Sequence, residues 1–534
     1  MSLAELAAAG VTAFLALVAI VAYLVDAAGY GVMPSVALGV AAVLSGAAAL
    51  SCLRSRYFVG GTSDLIVCLG ILVFVTAALL RVSWPSLVPP GRGPDLAHHL
   101  LLVDYIEQNH HLVHDRALDG AMGEMAHYTP GAHLLAVIAG ASLGADGLHA
   151  FFPIAVLAAA LTAAFVFVIG RRHGLPVPYA LSGVVLLLLP VQYFTGAFTH
   201  DSFLAQAIST LFAVAMWWAL VNWDDRPGLL NASIVAVFLV AVFLSWPIWL
   251  GPLLLVFLAL LLRADLSQRE RQVYLAIVLV PFLAIAVLHS WDRWGWMVIV
   301  RTSGAVLHPS LDSLGWLLPL LAAIGALAAL PEPRTRISVA LLVVTGLQML
   351  TLFVLAKAQG AHTPYMAFKM VYLAIYPMAV LAAIGIARIA GASRASESVG
   401  WLVAAALLVA TVQPALNGPR PVAIVSDDLS AAGKWLRARG GAACADYLVA
   451  DAETAYWLHL AVLGNPRATE RMQEVDRYDP RTAAGPWITA EGRDYAIADL
   501  RLLPAEIRSR VDLAAQFGSA AVIKRRDATM EGCD

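Results

Sequence analysis

Apolar runs of 15 to 24 residues recur along most of this chain, and no other feature narrows its folding so far. A run of about 20 such residues matches a hydrocarbon core ~30 Å thick when it is helical. The runs lie near residues 6–25, 32–52, 64–81, 147–170, 177–194, 201–221, 229–245, 248–262, 273–289, 314–330, 337–356, 370–388 and 399–415. Mean hydropathy is +0.78, and only 13% of the residues are charged, mostly in the gaps between runs and beyond residue 420. The expected fold is therefore an α-helical polytopic membrane protein with about 13 spans. Residues 6–25 lack a basic leader segment, carry Glu5 and exceed a signal-peptide core, so they are expected to be a retained helix. A net charge of −2 gives nucleic acid nothing to bind.

Charge asymmetry orients the spans. Alternate gaps hold Arg54 and Arg56; Arg171 and Arg172; Arg226; Arg263, Arg269 and Arg271; Arg334 and Arg336; Arg388 and Arg394. The gaps between them hold few cations, so the positive-inside rule places the N-terminus inside and the C-terminus outside. The pair of spans broken at Ser245-Trp246-Pro247 is the weak point of that count. Four segments then lie outside: the long loop 82–146, the turn Thr195–His200, and the loops 289–313 and 356–369. The inner loops carry no glycine-rich phosphate-binding motif.

The outer segments hold the polar chemistry. Seven of the 14 histidines lie between His98 and His133, in a loop that also bears Asp95, Asp104, Glu107 and Asp115. Asp95 follows Pro94 at the start of a helical run, where an Asp can serve as N-cap. His98 and His99, three and four residues on, would share its face, which gives a border Asp the surroundings of a general base or cation ligand. His110 and His114 have metal-ligand spacing, but Asn109 and Asp115 favour a solvated loop there. Tyr128-Thr129-Pro130-Gly131-Ala132-His133 turns sharply into an apolar run, and His133 inside that run needs a partner or a substrate role. Asp201, after Thr199-His200, opens a span from the outer side, where a helix N-terminus favours it. Trp291, Trp294 and Trp296 fit an interfacial belt, whereas Arg293 and Arg301 run against the outer-loop bias. Lys357, His362 and Lys369 do the same and suit an anion such as a phosphate.

Beyond Asn417 the composition turns regularly charged. Residues 443–450, 494–499 and 520–524 are expected as strands, alternating with helices at 428–439, 453–463 and 505–517, which makes a small extracytoplasmic α/β domain over 420–534. Cys444 and Cys533 are its two cysteines, and an oxidising compartment permits a bridge between them. The place of Cys533 beside the C-terminus leaves a free thiol equally open.

Together these residues resemble the C-type (GT-C) superfamily of integral-membrane glycosyltransferases, which includes protein mannosyltransferases and aminoarabinose transferases. The match rests on Pro94-Asp95-x-x-His98-His99 in the first long outer loop, Tyr128-x-Pro130-Gly131-x-His133 entering the next helix, and Lys357 through Tyr365-x-x-x-Lys369 in a late outer loop. It spans most of 64–415, with 1–63 as a two-span extension. Two departures stand out: a single Asp95, with Asp104 nine residues later, replaces a paired acidic site, and two spans precede the shared core. The resemblance implies a polyprenyl-phosphate sugar donor and a glycan, lipid or protein acceptor on the outer face. It implies Asp95 as the catalytic base, Lys369 with Arg293 or His362 at the phosphate, and His98, His99, Asp104, Tyr128, His133, His200 and Asp201 around donor or acceptor. A monophosphate leaving group can be held by basic side chains, so a divalent metal stays open rather than required. The alanine-, arginine- and tryptophan-rich composition points to a bacterial inner membrane and an envelope glycan. A glycan polymerase or ligase of the O-antigen type would lean on outer-loop arginines, but the longest loop has only Arg92 and Arg116. A transporter would place ionisable groups in span interiors, and these spans have almost none.

Overall fold

The apolar runs become helices, and their ends fall where proline, glycine or charge interrupts them. The computed structural model describes residues 1–54, 62–91, 94–199, 201–293, 306–391, 397–417, 423–466, 484–485, 487–491 and 493–526. The helices that matter below are α1 (Leu3–Ala27), α2 (Pro34–Arg54), α3 (Thr62–Ser83), α4 (Pro94–Asn109), α5 (Gly131–Leu143), α6 (Gly147–Arg172), α7 (Val177–Leu186), α8 (Leu204–Asp225), α9 (Leu229–Ser245), α10 (Leu250–Arg263), α11 (Gln268–Asp292), α12 (Leu317–Ala329), α13 (Arg336–Ala358), α14 (Val371–Ile389) and α15 (Glu397–Asn417). Among the described residues eight helical stretches are long and apolar enough to cross a membrane: α1, α2, α3, α6, α8, α11, α13 and Tyr365–Ile389, in which a short turn Tyr365–Lys369 leads into α14. Shorter apolar helices (α7, α9, α10, α12 and α15) stand at the other expected span positions.

Two ends differ from expectation. The run 177–194 is helical only to Leu186, because the Pro190 ring crowds the carbonyl four residues earlier and offers no N–H. Helix α8 starts at Leu204 rather than Asp201, since Ser202 has a left-handed φ of 52° that no helix can pass through. Asp201 is thereby left on the connecting segment.

Helices α6, α8 and α14 form the interior of the bundle, and the others ring them. Apolar surface gains nothing from burial against apolar lipid, so close packing has to hold such helices together. At the α12–α14 crossing a side chain at Gly325 would strike the Leu381 carbonyl, and one at Gly385 the Leu321 carbonyl, so the two backbones touch.

The polar groups divide between two ends. Helix α1 starts in a capping box between Ser2 and Glu5. Glu5 lies 3.7 Å from Arg172, which also meets Asp225 at 3.5 Å. Arg171 pairs with Asp64 at 3.1 Å, Arg263 with Asp224 at 2.6 Å and Arg334 with Asp225 at 3.6 Å. Arginines that set the orientation therefore gather at the Glu5 end. Asp26, at the other end of α1, receives the histidine-rich loop.

After α15 come α16 (Asp427–Arg437) and α17 (Ala452–Trp457), with a mixed sheet of β1 (Ala445–Leu448), β2 (Tyr495–Asp499), β3 (Asp512–Phe517) and β4 (Ala520–Lys524) in the order β1-β2-β4-β3. β1 and β2 run parallel, and the other pairs are antiparallel. Alternation sends Tyr495 and Ile497 towards the main core, and Ala496 and Ala498 towards Trp487 on the opposite face. The expected helix 505–517 is a correction: it lasts only from Ala505 to Arg508, and 512–517 is β3. The tight turn at Gly518, φ 53°, folds β3 back onto β4, and ladder pairing outweighs the local helical preference of Ala514 and Ala515. Cys444 is in a disulfide, the buried Cys52 and Cys68 are not, and Cys533 lies outside the described residues.

Candidate active site

Helix α4 opens with Pro94, a residue that loses nothing at a first helical position. Asp95 is thus in the first turn rather than at the N-cap, and still meets the positive end of the helix dipole. Leu96, Leu100, Leu101, Val103 and Ile106 bury one side of the helix. Asp95 is half-buried, and among the described residues it has no hydrogen-bond or ion-pair partner. Its charge acts on His99, Tyr128, Tyr365 and Lys369.

Lys369 is 1% exposed. Its ammonium stands 2.7 Å from the centroid of Phe203, 5.0 Å from Tyr365 and 5.6 Å from Tyr372. No carboxylate of the described residues comes within 4.0 Å of it, yet the charges of Asp95 and Asp201 both reach it. Asp201 accepts a hydrogen bond from the Tyr372 hydroxyl at 3.1 Å, and the Tyr193 ring packs edge-on to Tyr372 at 4.9 Å. The Ser202 hydroxyl donates to the Pro90 carbonyl and ties this segment to the loop before α4. A buried cation costs several kcal/mol unless compensated, and three ring faces compensate only part of that.

Beside Asp95 lies a pair of imidazoles. His99 Nδ1 is 2.9 Å from His133 Nε2, and the rings stack at 5.1 Å. Burial pushes His99 down to about 4, so it is neutral at pH 7 and exchanges hydrogen bonds rather than charge. Tyr128 packs edge-on to His99 at 5.0 Å and against Trp246 at 5.9 Å. The Tyr128 hydroxyl, Ser245 Oγ and Trp246 Nε1 are buried with no protein partner among the described residues. Unsatisfied groups of this kind are costly in an empty protein and useful to a hydroxyl-rich ligand.

An apolar cavity of about 430 Å³ opens between α3, α6, α7 and α15, lined by Phe74, Leu181, Leu188, Phe194 and Trp401 among others. Phe194 of that lining is the chain neighbour of Tyr193, whose ring packs on Tyr372.

Other expected site residues are engaged elsewhere. His98 is held between Glu124, at 2.8 Å, and the Tyr456 hydroxyl. Asp104 pairs with Arg437 at 2.6 Å. Arg293 donates to the Val113 carbonyl at 2.7 Å and so anchors the far end of the loop. His362 is exposed, with its carbonyl accepting from Lys357 at 2.9 Å. His200 and Arg301 lie outside the described residues. The histidine spacing at 110–114 does not become a helical face, because α4 ends at Asn109 and His110 has φ 55°. Instead His111 and His114 reach Asp26 at 3.3 and 2.8 Å, and the Leu112 N–H donates to the same carboxylate at 3.0 Å. Among the described residues no three His, Cys, Asp or Glu side chains converge as a metal site.

Sequence reasoning passed over Asp26, Phe203, Tyr372 and Tyr456. Tyr372 had a readable signal, since it follows Lys369 by three residues at the head of a span. Asp26 ends the first apolar run as its sole acid. Tyr456 had none.

Glu107, near the end of α4, accepts from the Gly147 N–H at 2.5 Å. Burial, helped by Asp146 and Asp104, pushes its carboxyl up to about 7. A raised carboxyl binds its proton more tightly in the folded chain, so its stabilising effect is complete below about pH 4.5 and fades as pH rises through 7. The melting temperature should fall between those pH values, and Glu107→Gln should flatten that fall. An unchanged slope in Glu107→Gln would remove this assignment.

No protein-family description matches the chain, and no curated protein is similar to it in sequence. Solved structures are similar in shape. The apo crystal structure of ArnT from Cupriavidus metallidurans covers 86% of this chain and 98% of its own, with TM-score 0.49 and 13% identity. The apo oligosaccharyltransferase of Archaeoglobus fulgidus covers 81% and 70%, with TM-score 0.44 and 12% identity. The oligosaccharyltransferase AglB of the same organism, in complex with an inhibitory peptide and a dolichol-phosphate, covers 87% and 75%, with TM-score 0.43 and 13% identity. All of these are GT-C membrane glycosyltransferases. Because the scores lie below 0.5, the function proposed next stands on the residues of this chain.

Proposed function

We propose that this chain is a membrane glycosyltransferase that moves a sugar from a polyprenyl-phosphate donor to an envelope glycan, lipid or protein acceptor. The observation that carries the reading is a half-buried Asp95, unpartnered among the described residues, whose charge reaches a buried Lys369 that has no carboxylate contact among them. A phosphate beside Lys369 would supply the missing counter-charge, and the apolar cavity that Phe194 helps to line suits the prenyl tail. Tyr128, Ser245 and Trp246 offer the sugar hydroxyls a ring face and unused polar atoms.

In the proposed reaction Asp95 takes the proton of the acceptor hydroxyl as its oxygen bonds to the anomeric carbon. The bond from that carbon to the phosphate oxygen breaks, and its electron pair leaves on the phosphate, where Lys369 offsets the charge. Asp201 and Tyr372 keep the lysine socket in shape, and neutral His99 with His133 borders the acceptor side. The reading keeps an N-terminal extension 1–63, a core 64–415 and an α/β domain 420–534. It also places the Asp26 end of the bundle, with the active site and C-terminus, outside a bacterial inner membrane, as the arginine bias argues.

Membranes containing the chain, given radiolabelled polyprenyl-phosphate sugars with and without a chelator, test this directly. Label should pass to a product. A chelator effect under about tenfold would mean that Lys369 suffices at the leaving group, and a larger one that a divalent ion assists it. If no polyprenyl-phosphate sugar is consumed, the reading falls.

A further inference from the structure

Among the described residues, the ion pairs and the ring contact between the C-terminal α/β domain and the rest of the chain fall on α4 or at the start of α6. Arg437 of α16 pairs with Asp104 at 2.6 Å, Lys434 pairs with Asp146, and Asp427 faces His149 at 3.7 Å. These charges are partly exposed, and pairs of that kind contribute little each. The remaining contact is of a different sort. Tyr456 of α17 donates its hydroxyl to His98 Nε2, and the two rings meet edge-on at 5.7 Å. Burial pushes the Tyr456 phenol up to about 12, so at neutral pH it keeps its proton and acts as donor. That leaves His98 Nδ1–H to donate to Glu124, 2.8 Å away. His98 is 6% exposed and lies one helical turn after Asp95.

We infer that the C-terminal domain is part of the catalytic apparatus, with Tyr456 as a positioning residue that fixes the first turns of α4, and so the Asp95 carboxylate, through His98. The inference rests on the reading of Asp95 as the base. The exposed charge pairs bring the domain down onto α4. The Tyr456–His98–Glu124 chain, in which a buried His98 joins a partly buried Tyr456 to an exposed Glu124, then sets its rotation and height, because each bond has one geometry. Without it the first turn of α4, which starts from Pro94 and has no intrahelical bonds of its own, would fray.

The test uses the purified full-length chain in a bilayer disc, as wild type and as Tyr456→Phe, which keeps the ring and removes only the hydroxyl. Amide hydrogen exchange over residues 96–103 should quicken about tenfold while the rest of the core is unchanged. Sugar transfer should lose about tenfold in kcat with an unchanged donor KM, since a small displacement of a catalytic group costs that much. Glu124→Gln, acting on the other ring nitrogen, should give the same pattern. Unchanged exchange overturns the inference, and so does faster exchange with unaltered kcat. A raised KM at constant kcat overturns it as well, because Tyr456 would then be binding substrate. Should wild type transfer no sugar at all, quickened exchange would still uphold the latch on α4, while the glycosyltransferase reading would fail.

Discussion

Asp95→Asn is expected to lower sugar transfer by roughly 10²- to 10⁴-fold, the range general-base catalysis contributes, with normal expression and an unchanged melting temperature. Asn keeps the size and shape of the side chain. Asp95 has no hydrogen-bond or ion-pair partner among the described residues, so the substitution orphans no other group. Folding loses the attraction of that charge for the first turn of α4, about 0.3–1 kcal/mol at a partly exposed site, and its through-space attraction for the Lys369 ammonium. A large kinetic loss beside a negligible thermal one is the signature of a group that meets substrate. Full activity in Asp95→Asn would reduce the residue to an electrostatic ornament of the helix start, and the base would have to be sought elsewhere.

Lys369→Met should show the opposite signs in two measurements. Transfer should drop by roughly 10²- to 10³-fold, the cost of removing one preorganised group that meets developing charge. Stability should hold or rise, because Met fills the space between Phe203, Tyr365 and Tyr372 without the desolvation cost of a buried ammonium. Lys369→Arg is no conservative change here, since a planar guanidinium does not fit the same pocket. Loss of activity together with a markedly lower melting temperature would mean that the cation holds the fold rather than the phosphate.

The two substitutions strike opposite ends of the proposed reaction, acceptor activation and leaving-group departure. Their sequence positions, 274 residues apart, give no hint that the charge of one reaches the other. The Ser202 hydroxyl ties the segment before α8 to the Pro90 carbonyl before α4, and the turn Tyr365–Lys369 rides into the bundle on α14, which leaves the two within reach of each other's charge.

The chain's helical membrane character and the places of its helices were legible in the sequence, and so were the border positions of Asp95 and Lys369 on which the proposed function rests. Each depends on something local: the length of an apolar run, a proline at a helix start, a charge at odds with its neighbours. Other features could not be read that way. His98, Asp104 and Asp95 share one helix, yet only the structure separates the two that bind the C-terminal domain from the one left unpartnered. The histidines at 111 and 114 had metal-like spacing, and a single buried Asp26 decided what they do. Residues 512–517 had a helical composition and became a strand, because a neighbouring strand offered them a ladder. Periodicity and composition act over a few residues, so the sequence determines them by itself. Which side chains satisfy one another is fixed only when distant segments pack, and here that packing decided which groups stay free for chemistry.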